Sequence, residues 1–352
     1  MKGLKIAMKT SQTVCDQKRR SFLKLSGLLG LGAASAALLP AAKAEALLFG
    51  KAEYKVTKTR IAMGTYVAMT AIHPSQDEAE NAIGLAFEEI ERLNALLTRF
   101  ESSSPVGELN ASGRLVAPPH EVQELIARSL YYNRETNGAF DITVKPLIDL
   151  YKNSFAAGSQ PSEQQIDHLL PLIGSDKIRF RGGDVGLATS EMGITLDGIA
   201  KGYIVDRAAD VLKKHGVVNH LINAGGDIRT SGSAAKGQAW TVAIQNPDRS
   251  KEYPDVITMR DGAIATSGNY EVYYDREKVF HHIVNSHTGH SPQLSTSVTI
   301  MAPTVMDADA LSTSVFVMEP VAGVRFINSQ PDTECFIIDR DGRTSRSKGW
   351  QA

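Results

Sequence analysis

The chain has 352 residues, of which 42% are hydrophobic and 22% are charged, a composition typical of a globular protein with a sizeable core. Its formal net charge is −1, but residues 1–44 contain eight Lys or Arg against one Asp, so the remainder carries −8. An acidic body with no basic stripe argues against nucleic acid as a partner.

The N-terminal segment is typical of an export signal. Basic residues precede an apolar run from Leu25 to Leu39, and Ala42-Lys43-Ala44 has the small-x-small pattern of a cleavage site. The run is too short and too rich in Gly and Ala to favour a membrane span. Arg19-Arg20 followed by Ser-Phe-Leu-Lys resembles the address read by the twin-arginine translocase, and an ordinary secretory signal is the alternative. We predict that residues 1–44 are removed and that residues 45–352 form a single domain, soluble in the periplasm.

Cysteine usage limits the chemistry that this domain can carry. Cys15 lies in the predicted signal, and Cys335 stands alone in residues 45–352. Neither a disulfide framework nor a thiolate metal site is therefore expected, although the destination is an oxidising compartment.

Hydrophobic periodicity predicts an α+β fold for residues 45–352. Residues 54–72 are predicted to form a strand, a turn at Met63-Gly64-Thr65 and a second strand, and residues 101–113 (ESSSPVGELNASG) to form a loop. Helices are predicted at 76–98, 120–136, 144–153, 162–170 and 199–215. Further strands are predicted at 177–181, 193–197, 219–223, 239–245, 256–259, 279–284 and 296–301. Because helices and strands mix without strict alternation, we expect mixed or antiparallel sheets with flanking helices.

The segment TVMDADALSTSVFVM, residues 304–318, is predicted to be a helix capped at its start by Thr304 and Asp307. Asp309 and Thr313 are four residues apart and therefore share one face of this helix. Both are hard oxygen donors of the kind that Mg²⁺ accepts. On spacing alone, a buried Asp that accepts a hydrogen bond from Thr is the favoured alternative.

The segment TLDGIAKGYIVD, residues 195–206, is predicted to run from a strand through a Gly-bounded turn into a helix, with Lys201 near the helix start. Glycines let the backbone approach a ligand, and amides at a helix N-terminus suit phosphate. The glycine spacing differs from that of the Walker phosphate loop. A simple strand–helix turn explains the pattern equally well.

Two more segments end in glycine-rich turns, LINAGGDIRTSG at 221–232 and AIATSGNYEVYY at 263–274, and each either lines a cleft or is merely a turn. The segment FHHIVNSHTGHSP, residues 280–292, holds four histidines. It is a poor zinc site, because adjacent His281 and His282 on a strand point to opposite faces and no other ligand cluster accompanies them.

Taken in order, these motifs resemble the FAD:protein FMN transferase (ApbE) family over roughly residues 55–340. The matching motifs are MGT at 63–65, GAFD at 138–141, GIAKGY at 198–203 with Asp206, NAGGD at 223–227, TSG at 266–268, HIVNSHTG at 282–289 and DALST at 309–313. Each motif is weak alone, whereas seven in the family's order are specific.

The resemblance implies an enzyme that takes FAD as substrate with Mg²⁺, joins its FMN half to a threonine or serine hydroxyl of another protein, and releases AMP. The acceptor would be a flavoprotein, of the membrane-bound redox class, that faces the periplasm. The implied flavin contacts are Met63, Phe100, Ala139, Phe140, Asp141, Thr195, Lys201 and Ile283. The implied metal ligands are the side chains of Asp309 and Thr313 and the carbonyl of Gly198.

The resemblance also implies two catalytic side chains. Lys201 would neutralise charge on the pyrophosphate, and His282, at the family's histidine position, would act as general base. The other three histidines of the segment are expected to lie in a solvated turn.

The chain departs from the family pattern at several positions. Thr195 stands where an acid is usual, Phe100 stands where Tyr is common, and Asn285-Ser286 replace Asp-Pro. The loop at 104–110 lacks the usual Glu after its Ser. Two alternatives to transfer therefore remain open: an FAD pyrophosphatase that forms FMN and AMP, and a non-catalytic periplasmic flavin-binding maturation factor.

Overall fold

The computed structural model describes residues 45–48, 53–248, 250, 252–270, 272–275 and 279–351. The predicted signal segment, residues 1–44, lies outside the described residues. Among the residues that are described, no helix combines the length and apolarity needed to cross a bilayer.

The described residues form eight α-helices and fourteen strands. The helices are α1 (Gln76–Leu97), α2 (Pro105–Ser112), α3 (His120–Glu135), α4 (Lys145–Ala156), α5 (Glu163–Leu169), α6 (Ala200–Lys214), α7 (Val305–Val317) and α8 (Pro320–Ile327). The strands are β1 (Glu45–Leu48), β2 (Tyr54–Ala62), β3 (Thr65–His73), β4 (Arg114–Leu115), β5 (Ile178–Arg181), β6 (Asp184–Leu187), β7 (Asn219–Ala224), β8 (Asp227–Ser231), β9 (Trp240–Ala243), β10 (Val256–Met259), β11 (Gly262–Gly268), β12 (Ser295–Ala302), β13 (Glu334–Asp339) and β14 (Thr344–Arg346).

Nine strands form the main sheet, in the order β1-β2-β3-β7-β8-β11-β12-β13-β14. Its neighbouring strands all pair antiparallel. Two small sheets, β9-β10 and β4-β6-β5, complete the strands that are described. The predicted α+β class with antiparallel sheets and flanking helices is therefore confirmed.

The main core lies between one face of this sheet and the helices α1, α6 and α7. Alternation along β3 turns Val67 and Met69 into that core, and the apolar stripe of α1 supplies Ile83, Phe87 and Ile90. A smaller core on the opposite side includes Ile228, Ile264, Phe336 and Trp350. The helices α6 and α7 pack against each other as well as against the sheet, so side chains at their junction are buried.

Most of the predicted elements are present, with boundaries within a few residues. The segment 101–113 was wrongly predicted to be a loop, because it contains α2. Ser104 caps this helix by accepting a hydrogen bond from the amide of Gly107 at 2.9 Å, Pro105 opens it, and Gly113 ends it with a φ of 71°. Ser, Pro and Gly are typical of loops but also of helix ends, and here they mark both ends of one short helix.

Two predicted strands are wrong. Residues 193–197 belong to no sheet, and Ile194 instead exchanges two hydrogen bonds with the side chain of Asn110, at 2.6 and 3.0 Å. Residues 279–284 contain one isolated bridge, between Tyr273 and His281, in place of a strand. Sequence analysis also missed β1, β4, β6, β8, β13, β14 and α8.

Candidate active site

The turn before α6 brings Gly198 against α7. A Cβ atom at position 198 would lie 3.0 Å from Thr313 Oγ1 and 3.4 Å from Phe140 Cε2, so glycine is what allows this approach. Helix α6 begins two residues later, at Ala200, and Lys201 lies in its first turn. The predicted metal ligands Gly198 and Thr313 are therefore neighbours, with the predicted flavin contact Phe140 beside them.

Helix α7 presents the other predicted metal ligand. Thr304 caps this helix, with its Oγ1 accepting from the amide of Asp307 at 3.1 Å, as predicted. Asp309 is buried and accepts a hydrogen bond on Oδ2 from the amide of Gly202 at 3.0 Å, while Thr313 Oγ1 lies 3.3 Å from Ser267 Oγ. The two side chains thus have partners on α6 and β11, unlike in the alternative in which they bond to each other.

A second buried carboxylate, Asp227, lies at the same junction. It is 1% exposed, and its Oδ2 is 3.5 Å from Lys201 Nζ. Burial raises the pKa of both Asp227 and Asp309 above the usual carboxyl range, and the Lys201 ammonium opposes that rise. Two carboxylates and one ammonium therefore share a poorly hydrated space between α6, α7 and β8.

The donor chemistry of this junction fits a magnesium ion. Asp309 offers a carboxylate, Thr313 a hydroxyl and Gly198 a carbonyl, which are hard oxygen ligands that leave room for water and phosphate. Over the described ranges, no group of three or more His, Cys, Asp or Glu side chains could hold a metal by itself. The predicted ligand set is not such a cluster, because only Asp309 is of those residue types and the other donors are a hydroxyl and a backbone carbonyl.

The predicted run Ala139–Asp141 passes directly beside this junction, but Asp141 has a local role. Its carboxylate accepts hydrogen bonds from Thr143 N at 2.8 Å, Ser175 Oγ at 2.9 Å and Asn133 Nδ2 at 3.0 Å, and it caps a short 3-10 helix at Ile142–Val144. These bonds give the Asp141 carboxylate a local structural role, and its contact with flavin stays a prediction. The side chain of Ile283, another predicted flavin contact, also has a structural role, because it is buried in the main core.

Two further predicted flavin contacts, Thr195 and Phe100, lie in or next to segments that meet at the loop before Gly198. Thr195 is buried, and its amide donates to the carbonyl of Ile142 at 2.8 Å. Phe100 is 68% exposed, and the guanidinium of Arg99 lies 4.5 Å above its ring. Arg99 also donates to Asp197 Oδ2 at 2.9 Å, which ties the Phe100 segment to the loop before Gly198.

Met63 occupies the tight turn between β2 and β3, with a φ of 52°. The next turn of the sheet, between β7 and β8, packs against this one, since a Cβ at Gly225 would lie 2.5 Å from Thr65 Oγ1. The chain reaches Asp227 two residues later. Met63 is thus on the same end of the sheet as Asp227.

His282 belongs to a segment that contacts α7 through the ring of His281 and the loop before Ala139 through His287. Its Nδ1 is 3.0 Å from the carbonyl of Val272, and because a carbonyl only accepts, Nδ1 carries the proton. In the neutral ring the basic lone pair is therefore on Nε2. The neighbouring ring of His281 meets Phe316 edge-on at 5.5 Å, and Phe316 continues the face of α7 that carries Asp309 and Thr313.

The expectation that the other three histidines lie in a solvated turn is wrong for His281. Its ring is fully buried, with Nε2 3.0 Å from the carbonyl of Pro292, and burial lowers its pKa to about 4. His287 and His290 are more exposed. His287 Nε2 is 2.9 Å from the carbonyl of Asn137, which ties this turn to the loop before Ala139, and His290 lies 3.3 Å from Glu163.

Sequence analysis missed Asp227 and Ser267 as members of this site. Asp227 and Ser267 were noted only as members of glycine-rich turns and of the motifs NAGGD and TSG, without a role of their own. The signal available in the sequence was an Asp directly after Gly225-Gly226. The structure adds that this Asp is buried, and a carboxylate is rarely fully buried without a partner.

The chain is similar to known proteins of one family. The ApbE family model matches residues 63–337. A protein of Haemophilus influenzae named FAD:protein FMN transferase is 30% identical over 248 residues, covering 66% of this chain and 72% of its own, and one from Escherichia coli K12 with that name is 28% identical over 264 residues, covering 70% and 73%.

Solved structures agree with the sequence matches. The crystal structure of the ApbE protein of Thermotoga maritima has a TM-score of 0.76 and 29% identity, covering 84% of this chain and 97% of its own. The flavin transferase ApbE of Vibrio cholerae has a TM-score of 0.73 and 25% identity, covering 84% and 98%. Because the family model spans more than half of the chain and the fold agrees, this protein belongs to the ApbE family.

Proposed function

We propose that this protein is a Mg²⁺-dependent FAD:protein FMN transferase that attaches FMN to a threonine or serine hydroxyl of another protein. The observation that carries the proposal is the junction of α6 and α7, where Lys201, Asp309, Thr313 and the turn at Gly198 meet. Curated relatives of similar length have this activity in their names.

The residues at the junction suit the pyrophosphate of FAD. The dipole of α6 and the ammonium of Lys201 offer positive charge to an anion at the start of that helix. Asp309, Thr313 and the Gly198 carbonyl would hold Mg²⁺, which supplies neutralisation of the negative charge that develops on the phosphate oxygens.

In the proposed transfer, one P–O bond forms and one P–O bond breaks. The acceptor hydroxyl oxygen bonds to the FMN phosphorus, the bond from that phosphorus to the bridging pyrophosphate oxygen breaks, and AMP leaves with that oxygen. The hydroxyl proton passes to His282 Nε2, which is the basic nitrogen in the tautomer that the Val272 carbonyl selects. Lys201 offsets the charge on the departing AMP.

The test is incubation of the purified protein with FAD, with and without Mg²⁺, and with an acceptor fragment that bears the target threonine. The expected result is a covalently fluorescent fragment, whose mass shows one added FMN, and release of AMP. A fragment with that threonine replaced by alanine should stay unlabelled. Free FMN and AMP in equal amounts without labelling would favour the pyrophosphatase, and absence of AMP would favour the flavin-binding maturation factor.

The acceptor is proposed to be a membrane-bound redox flavoprotein that faces the periplasm. This location rests on the sequence of residues 1–44, whose Arg19-Arg20 pair would be read by the twin-arginine translocase. Replacement of both arginines by lysine should leave the protein in the cytoplasm, as measured by fractionation. An unchanged periplasmic yield would contradict this export route.

A further inference from the structure

Asp227 is a buried carboxylate that the transfer chemistry described above does not use. It is 1% exposed and opens β8, directly after Gly225-Gly226. Its Oδ2 atom accepts no well-formed hydrogen bond from any residue in the described part of the chain. A buried carboxylate in that condition is costly, so its presence requires an explanation.

Two other buried carboxylates, which we assign to the fold, accept hydrogen bonds from backbone amides or from a ring N–H. Asp206 accepts from the amides of Val305 and Met306, at 3.1 and 2.9 Å. Asp255 accepts from the amide of Val256 at 2.8 Å and from Trp350 Nε1 at 3.0 Å. Asp227 lacks such bonds on Oδ2, and what faces that atom is the Lys201 ammonium, at 3.5 Å.

The backbone that carries Asp227 is held firmly. Asp227 pairs with Ala224 on β7, the amide of Gly226 donates to Asn223 Oδ1 at 3.0 Å, and Gly225 packs against Thr65. Lys201, in contrast, carries its charge on a flexible four-carbon stem. A fixed carboxylate next to a flexible ammonium can restrict where that ammonium lies.

We propose that Asp227 is a positioning residue for the transfer reaction: its carboxylate holds the Lys201 ammonium at the start of α6, where the pyrophosphate of FAD would lie. This inference rests on the proposed function. Asp227 forms and breaks no covalent bond, and its contribution is the orientation of a charge that is most valuable in the transition state.

The test variant is Asp227→Asn, which keeps the shape and removes the charge. Turnover number should fall about 10²-fold, since misplacement of a catalytic group by about an ångström has effects of that size. The FAD dissociation constant should stay within about threefold of wild type, because ground-state contacts remain while an orientation needed in the transition state is lost. Asp227→Glu, which restores the charge, should recover part of the turnover.

The matched control is Asp255→Asn. Asp255 is also a buried carboxylate next to a cation, with Arg346 Nη2 at 3.3 Å, but it packs with the smaller core on the opposite side of the sheet. This variant should lower the melting temperature and leave the turnover number within about twofold of wild type. A general effect of removing a buried charge would instead lower turnover in both variants.

A double-mutant cycle with Lys201→Met decides whether Asp227 acts through the ammonium. The double variant should be no slower than Lys201→Met alone, because a positioning residue has no effect once its partner is absent. Additive losses would overturn the inference, as would unchanged turnover in Asp227→Asn or a parallel loss of FAD affinity and melting temperature. If wild type itself transfers no FMN, the proposed function fails first, and that outcome is distinct from active wild type with an equally active Asp227→Asn.

Discussion

Asp206 and Asp227 lie on either side of the junction between α6 and β8, and both are buried, but their surroundings differ. Asp206 accepts two backbone amides at the start of α7 and lies 3.6 Å from Arg229. Asp227 faces an ammonium and accepts no well-formed hydrogen bond on Oδ2 from the residues that the structure describes. Complete hydrogen bonding indicates a role in the fold, and incomplete hydrogen bonding indicates a role toward a ligand.

The same contrast recurs in two neighbouring pairs. On α7, Asp307 accepts from Arg128 Nη2 at 2.8 Å and from the hydroxyl of Tyr132, whereas Asp309 accepts from the Gly202 amide of α6 and lies near the Lys201 ammonium. In the histidine segment, the ring of His281 is buried and that of His282 is partly exposed. Each pair compares a side chain that has structural partners with a neighbour that we propose to be functional.

The largest expected effect is that of Asp309→Asn. This change removes the one carboxylate among the proposed magnesium ligands but keeps an acceptor for the Gly202 amide, so turnover should fall about 10⁴-fold with little change in melting temperature. Labelling rates across a Mg²⁺ titration measure it. Asp307→Asn is the control and should cost about 1–3 kcal/mol of stability while turnover stays within about threefold. Equal losses of turnover in the two variants would contradict the distinction between a structural Asp307 and a metal-binding Asp309.

His282→Ala should lower acceptor labelling about 10³-fold, within the usual range for a positioned general base, and retain FAD binding. His281→Ala should instead lose stability, because the ring packs on Phe316 and accounts for a bond to the Pro292 carbonyl. Labelling kinetics and thermal unfolding of both variants provide the measurement. His287→Ala and His290→Ala should stay close to wild type, and uniform losses across all four would point to a purely structural segment.

Asp206→Ala should destabilise the fold by about 3 kcal/mol, because it removes the acceptor of two amides at the start of α7 and leaves Arg229 without this carboxylate. Asp227→Asn should cost less than about 1 kcal/mol, since Lys201 retains access to water. Urea unfolding measures the free energy of unfolding of each. The reverse ranking would mean that hydrogen-bond completeness does not separate the two roles.

The last expected effect is a pH dependence of stability, which tests the buried member of the histidine pair without changing the proposed site. Burial lowers the pKa of His220 and of His281 to about 4, below the usual histidine value of 6.5. Both rings are neutral in the fold and gain protons more readily when unfolded, so their contribution is complete above pH 6.5 and is lost as pH falls toward 4. Each ring should account for about 2 kcal/mol over this window.

The measurement is the melting temperature of wild type and of His281→Asn at several pH values between 7.5 and 4.5. The variant should show a shallower decline than wild type, since one of the two buried rings is gone. Identical slopes would show that the His281 ring already takes up a proton in the folded state.

The sequence by itself determined most of the local elements and the family, and it supplied the residues that we propose to be reactive. Periodicity located α1, α3, α6 and the β2–β3 hairpin, since an amphipathic pattern reflects which face of an element is buried. Seven ordered motifs indicated the family, which the family model and the solved structures confirm. The spacing of Asp309 and Thr313 placed them on one face of a helix, and Thr304 was correctly predicted to cap it.

Tertiary structure decided what those groups face. The predicted strand at 193–197 pairs with the Asn110 side chain instead of a sheet, and the predicted loop at 101–113 is a capped helix, because long-range partners and cap geometry outweigh local propensity. Burial of His281 and of Asp227 depends on helices and strands far away in the chain. A carboxylate's hydrogen-bond partners are a property of its three-dimensional surroundings, so no spacing along the sequence could separate Asp227 from Asp206.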